Sequence, residues 1–202
     1  MRDVRAVEID GFYVKLKPID ESDFSKIIEW RNNPDNNKYL NQSYKLTMPL
    51  QRKWYNDKYL KSNDILFMII VKKYNIKIGT IGINDLDCEN KVGILGRLLI
   101  GDTNYRGSKE LIEAMILIYD FIFYHLKIEN LYGHCVIKNE KVISFDKKFG
   151  FLPTQKVVFP EYCYLNSMEL IEMVNNQERY EKCKPNFAKI IDFYKIRDSH
   201  AT

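Results

Sequence analysis

Residues 65–71 read ILFMIIV, seven apolar side chains in succession. The run is far shorter than the ~18 residues a membrane span requires, and it has no polar face. It reads as a strand buried on both sides, which obliges the fold to cover a sheet on both faces.

The neighbouring segments supply the covering. Phe12–Pro18 alternates like a first strand. Asp20 or Ser22 is placed to cap a helix through Phe24, Ile27, Ile28 and Trp30, which Asn32-Asn33-Pro34 ends because a residue before proline avoids the helical region. A polar, aromatic-bearing loop over 35–46 follows. Thr47 then precedes a second helix with Pro49 in its first turn and Gln51, Trp54, Tyr55 and Leu60 along it. Tyr74-Asn75 turns the buried strand into Lys77–Leu86, and 87–90 turns again into Val92–Ile100. A long helix is expected from Ser108 to about Leu126, then a strand at Asn130–Val136, a short helix at Glu140–Lys148, a hairpin of Lys156–Phe159 with Tyr162–Ile171, and a helical tail from about Asn175 to Tyr194.

The order implies a mixed α/β fold, with a central, mostly antiparallel twisted sheet and helices on both faces. The crossover from Val92–Ile100 to Asn130–Val136 should be parallel. Residues 1–172 read as one domain and 173–202 as a C-terminal helical tail, whose Phe187, Ile190, Ile191 and Tyr194 form an apolar stripe suited to intramolecular packing or to a homodimer contact.

Composition narrows the function. No apolar run is long enough for a membrane span, and MRDVRAVEID carries acids where a secretion signal needs apolar residues, so a cytoplasmic protein is expected. With 31 Lys+Arg against 27 Asp+Glu, the net charge of +4 is mild and interleaved; no basic stripe points to nucleic acid. Cys88, Cys135, Cys163 and Cys183 are widely spaced and lack metal-ligand spacing, so reduced thiols and no metal are expected.

Three local motifs then stand in order. Gly96-Arg97-Leu98-Leu99-Ile100-Gly101-Asp102 is followed by Tyr105-Arg106-Gly107; Asn139 is followed by Lys148-Phe149-Gly150-Phe151; and Glu29-Trp30-Arg31-Asn32 precedes Gln51-x-x-Trp54. With the element order, they resemble the GNAT family, the Gcn5-related N-acetyltransferases, over roughly residues 12–172. The third motif is similar to the branch that contains amino-sugar N-acetyltransferases and acetyltransferases of ribosomal-protein N-termini.

The resemblance implies acetyl-CoA as donor and a primary amine of a small molecule as acceptor, most favourably an amino sugar, free or nucleotide-linked. The alternatives are a protein N-terminus as acceptor, another acyl donor, or a catalytically degraded GNAT domain that binds without turnover. Arg106, Gly107, Ser108 and Lys109 fall where the family receives the pyrophosphate, at a helix N-terminus whose free N–H groups and dipole favour an anion. Lys109 and Leu111 stand where the family has small residues. Leu99 and Ile100 are backbone candidates for polarising the acetyl carbonyl, and Asn139 matches an asparagine that contacts the pantetheine arm or acetyl region, while also being placed to cap the following helix.

For proton transfer the family's tyrosine, seven residues past the asparagine, is replaced by Asp146, expected on a solvent-facing side of its helix with ordinary acidity. Ile94 stands where related sequences carry a glutamate. His134 is then the candidate base, with Asp85 and Asp87 as alternatives that also suit turns. On the acceptor side are Trp30, Arg31, Tyr39 and Tyr44, Arg31 suited by its planar fork to a phosphate or carboxylate. Arg97 reads as a strand ion-pair residue.

Overall fold

The computed structural model describes residues 4–40, 42, 44–158 and 169–200. Among the described residues there are eight strands: β1 (Ile9–Asp10), β2 (Val14–Pro18), β3 (Ile65–Val71), β4 (Ile76–Asp87), β5 (Val92–Ile100), β6 (Asn130–Val136), β7 (Leu152–Val158) and β8 (Leu170–Asn175). The helices are α1 (Phe24–Asn32), α2 (Pro34–Asn37), α3 (Met48–Asp57), α4 (Lys109–Asp120), α5 (Glu140–Lys148) and α6 (Gln177–Ser199). The strands form one sheet in the order β1-β2-β3-β4-β5-β6-β8-β7.

Every residue of β3 is buried, as its uninterrupted apolar run requires. Alternation divides that run between two cores. Ile65, Phe67, Ile69 and Val71 join the larger one with α4, α5 and α6; Leu66, Met68 and Ile70 face Ile27, Trp30 and Tyr59 of the α1–α3 layer. Each such side chain contributes about 1.5–3 kcal/mol by leaving water.

The β5–β6 pair is parallel and the other pairs are antiparallel. The parallel ladder is short, running from Val92 opposite Asn130 to Leu95 opposite Gly133. Immediately beyond it β5 carries a bulge: Gly82 faces Gly96 and Thr80 faces Leu99, so Arg97 and Leu98 together oppose Ile81. Arg97 has φ +55°, a left-handed conformation that costs an L-residue about 1–2 kcal/mol. Such a bulge bends its strand, and here β5 and β6 part company.

The helices begin and end as their local chemistry dictates. Asp20 and Asp23 form a reciprocal capping box around a 3₁₀ turn ahead of α1. Asn33, not a plain loop, caps the single turn of α2. Thr47 takes the cap position of α3 without a side-chain hydrogen bond. The expected long helix is α4 followed by a π-helical turn, Phe121–His125.

The last hairpin differs from the sequence expectation. β7 begins at Leu152, before Lys156, and β8 continues to Asn175, past residue 172, so only Asn176 separates it from α6. Residues 159–168, which include most of the expected hairpin and Cys163, lie outside the described residues. The apolar stripe of α6 splits: Phe187 and Ile191 are buried, while Ile190 faces outward with Phe193 and Ile196. Cys88, Cys135 and Cys183 are free thiols. Among the described residues, no helix is long and apolar enough to cross a membrane, and no cluster of three or more His, Cys, Asp or Glu is placed to hold a metal ion.

Candidate active site

The wedge between β5 and β6 supplies unpaired backbone. The Gly101 N–H donates to Ile78 O in β4 at 2.9 Å. Alternation along the extended chain then turns the Leu99 N–H toward β4 as well, and the Leu98 and Ile100 N–H groups toward the side where β6 has diverged. Of the two backbone candidates, Ile100 is therefore the one whose donor faces the gap.

At the end of β5 the chain enters the α4 N-terminus. Gly107 has φ +72°, and nothing lies within 4 Å of where a Cβ would stand, so the loop is open at that point. Ser108 caps the helix, accepting the Leu111 N–H at 3.2 Å. Among the described residues, no acceptor takes the Lys109 and Glu110 N–H groups at the first turn. The two bulky departures turn away from this mouth. Leu111 is buried in the larger core, and the Lys109 ammonium pairs with Asp198 of α6 and sits 4.2 Å from the centre of the Tyr13 ring. Arg106 reaches the other way, donating to Asn36 Oδ1 at 2.5 Å and tying the loop to α2. Loop, helix start and open glycine together fit a diphosphate.

Asn139 precedes α5, and its carbonyl accepts from Val142 and Ile143 at 3.1 Å. Its side chain makes no capping bond, so that amide is not consumed by the helix. Asp146, seven residues on, corrects the expectation of a solvated carboxylate. It is 9% exposed, accepts the Cys135 thiol at 3.1 Å, and is pushed up to about 6 by burial, partly offset by that hydrogen bond. Its inward side is fixed by Cys135 of β6 and by the packing of Phe145 on Phe149 and of Phe149 on Tyr119.

His134 and Asp146 are not brought together. Their strand positions alternate: Cys135, Asp146's partner, faces the α4 side, and His134 faces the opposite side. There His134 Nε2 lies 3.5 Å from Glu172 Oε2, and Glu172 also receives Thr154 and Lys156. Burial would raise Glu172, but the hydrogen bonds from Thr154 and His134 and the charge of Lys156 hold it below the ordinary range. Asp87 caps its turn through the Glu89 and Asn90 N–H groups, and the Asp85 N–H donates to Asp64.

On the α1–α3 side of the sheet lies a cavity of about 80 Å³ lined by Trp30, Arg31, Tyr44, Gln51, Trp54, Thr80, Arg97 and Leu99 among others. Trp30 is wedged over Gly101, where a Cβ would come within 2.0 Å of the indole. Gln42 fixes Arg31 by accepting its Nε–H at 2.9 Å. Arg97 bonds Asn84 at 2.7 Å, pairs with Asp64 at 3.3 Å and lies 4.9 Å from the Trp54 ring centre. Its expected ion pair is present, within the cavity wall. Tyr39 is not among the lining residues; its ring lies beneath Lys38. Sequence reasoning passed over Thr80 and Gln42. A hydroxyl amid the apolar IKIGTIGI of β4 was the available signal for Thr80, whereas nothing local marks Gln42.

The family profile described as an Acetyltransferase (GNAT) domain matches residues 14–152, well over half the chain. The chain belongs to the GNAT acetyltransferase family. Its reaction class is acyl transfer to an amine, and GNAT acetyltransferases use acetyl-CoA. No match was found among curated proteins. Among solved structures, a GCN5-related N-acetyltransferase from Brucella melitensis superposes with a TM-score of 0.74 at 17% identity, covering 91% of this chain and 84% of that one. A nucleotide-linked sugar GNAT, FdhC in its apo form, gives 0.71 at 21%, covering 92% and 98%. A spermidine N-acetyltransferase from Vibrio cholerae, solved with CoA and spermine, gives 0.71 at 15%, covering 83% and 98%. At these identities the likeness is one of fold.

Proposed function

We propose that this GNAT protein transfers an acetyl group from acetyl-CoA to the primary amine of a small molecule, with an amino sugar the favoured acceptor. The observation that carries the reading is the wedge in the sheet. The β5 bulge frees the Leu98 and Ile100 N–H groups beside a cavity at one side and the open α4 N-terminus at the other. In this reading Gly107, Ser108 and the first N–H groups of α4 hold the diphosphate, with Arg106 steadying the loop against Asn36. Asn139 holds the donor's arm, and the Ile100 N–H stands ready for a carbonyl oxygen.

When bound, acetyl-CoA supplies the acetyl thioester; the amine must lose a proton and the departing thiolate gain one. His134, oriented by Glu172, is the proposed base on the cavity face. Asp146, raised to about 6, holds a proton through mildly acidic pH and is the proposed acid reserve on the other face. Trp30 and Arg31 shape the acceptor pocket, with Tyr39 outside its wall and Tyr44 inside.

The rival reading, a GNAT domain retained for binding alone, draws on one observation: the Lys109 charge is already taken by Asp198. Calorimetric titration with acetyl-CoA, followed by thiol release with a panel of amines, separates the two. Micromolar binding with turnover of any amine supports the acetyltransferase; binding with no turnover favours the module; no binding at millimolar ligand removes the donor site. The outward Ile190, Phe193 and Ile196 of α6 support a homodimer, which the molar mass in solution, by light scattering, would register.

A further inference from the structure

We propose that the acceptor carries an anionic group beside its amine, and that Arg31 is the residue that recognises it. The inference rests on the acetyltransferase reading and narrows its substrate class. The cavity wall carries two guanidinium groups, and among the described residues only one of them has a counter-charge. Arg97 is neutralised by Asp64 at 3.3 Å and further bonded to Asn84. Arg31 bonds the neutral amide of Gln42 through Nε, and among the described residues no carboxylate forms an ion pair with it.

A guanidinium held away from water without a counter-ion is costly, and an arginine stays charged at any ordinary pH. Burial, and then repulsion from Arg97, pull Arg31 below the usual arginine range, with a smaller opposing pull from Tyr44. Gln51 adds an independent sign. It is 3% exposed, lines the same cavity, and its side-chain Nε2 is buried with no hydrogen-bond partner. An unpaired buried amide donor beside an uncompensated guanidinium is completed by an acceptor oxygen, and a carboxylate or phosphoryl group supplies one to each. About 80 Å³ admits a group of a few heavy atoms, not a whole sugar, so the anion enters while the rest of the acceptor lies toward the wedge. A polyamine is disfavoured on the same ground, because it would bring further positive charge against Arg31 and Arg97.

The test is kcat/KM at saturating acetyl-CoA for glucosamine 6-phosphate, muramic acid, glucosamine and spermidine. Glucosamine 6-phosphate or muramic acid should exceed neutral glucosamine by at least about tenfold, the scale of one charge-assisted hydrogen bond. Which of the two leads tells phosphoryl from carboxylate recognition. Arg31→Met should erase the preference while leaving the KM for acetyl-CoA unchanged, and Arg31→Lys should keep part of it. Equal or better use of glucosamine or spermidine, or a preference that survives in a folded Arg31→Met protein, overturns the proposal.

A second measurement does not depend on turnover. With CoA present to occupy the diphosphate loop, inorganic phosphate should raise the melting temperature of the wild type and of Lys91→Gln, a change on a distant surface pair, but not of Arg31→Met. Stabilisation of all three alike overturns the anion site; phosphate stabilisation that needs Arg31, in a protein that transfers acetyl to no amine, upholds the site and removes the acetyltransferase reading instead.

Discussion

Asp198, near the end of α6, holds the ammonium of Lys109, the first residue of α4. Tyr13 donates its hydroxyl to the same carboxylate at 3.2 Å, and Lys109 also stands 5.5 Å from the Tyr194 ring centre. The terminal helix thus places a negative charge beside the helix start proposed to receive a diphosphate, where a carboxylate competes with a phosphate for the same dipole.

Asp198→Asn should therefore tighten CoA binding by a few-fold, since it removes a competing charge and releases Lys109. Calorimetry at low salt reads it, and the gain should shrink as salt rises. Weaker binding by the variant would mean that the pair shapes the loop and does not restrain it.

Asp146→Asn should stabilise the protein above pH 6 and have little effect near pH 4. The folded-state carboxyl titrates at about 6 against an ordinary 3.8, so the folded chain binds the extra proton between those values. Stability is then full below about 4 and falls as pH rises through 6, by roughly 2–3 kcal/mol for a shift of this size. Urea melts of both proteins at pH 4 and pH 8 test it; a gap that does not grow with pH contradicts the burial account. A loss of kcat in the same variant, with the alkaline fall of activity above about pH 6 removed from the pH profile, would support the acid role.

Glu113 is 6% exposed and accepts the backbone N–H groups of Phe12, Tyr13 and Val14 at 2.9, 2.6 and 2.8 Å, joining α4 to the start of β2. Removing it as Glu113→Ala leaves three donors without their acceptor, that of Val14 buried and the other two part-buried, and should cost about 2–3 kcal/mol. Glu113→Gln, which keeps one acceptor oxygen, should cost less. Equal melting temperatures for the two variants would show that charge and lone pairs contribute nothing here.

Asn139→Ala should raise the KM for acetyl-CoA several-fold without lowering the melting temperature, because the side chain makes no capping bond for α5 to lose. A drop in stability of about 1 kcal/mol with an unchanged KM would assign the residue to the helix instead.

The periodic elements were legible from local pattern alone. Ile65–Val71, Val92–Ile100, Asn130–Val136 and Glu140–Lys148 have the bounds that apolar runs, turn residues and caps define, because these signals act within a few neighbours along the chain. The parallel β5–β6 pairing followed from the handed crossover of a strand-helix-strand unit. The GNAT motifs pointed to the loop at Arg106–Ser108 and the turn at Asn139 for the same reason, since each is a contiguous stretch of chain.

What the sequence left open depends on residues that meet only when the sheet closes. Asp146 read as solvated because its partners, Cys135 and Tyr119, come from another strand and another helix, and burial among them is what moves its acidity. Lys109 stands in the loop expected to meet the pyrophosphate, and its pairing with Asp198, 89 positions away, is not visible in the sequence. Arg31 was legible by type, but that no carboxylate among the described residues pairs with it emerges only where it meets Arg97 and Gln51 on one cavity wall. Backbone pattern is a local quantity, whereas burial and electrostatic balance are sums over everything nearby in space. The chain alone determined the first; only the folded protein decided the second.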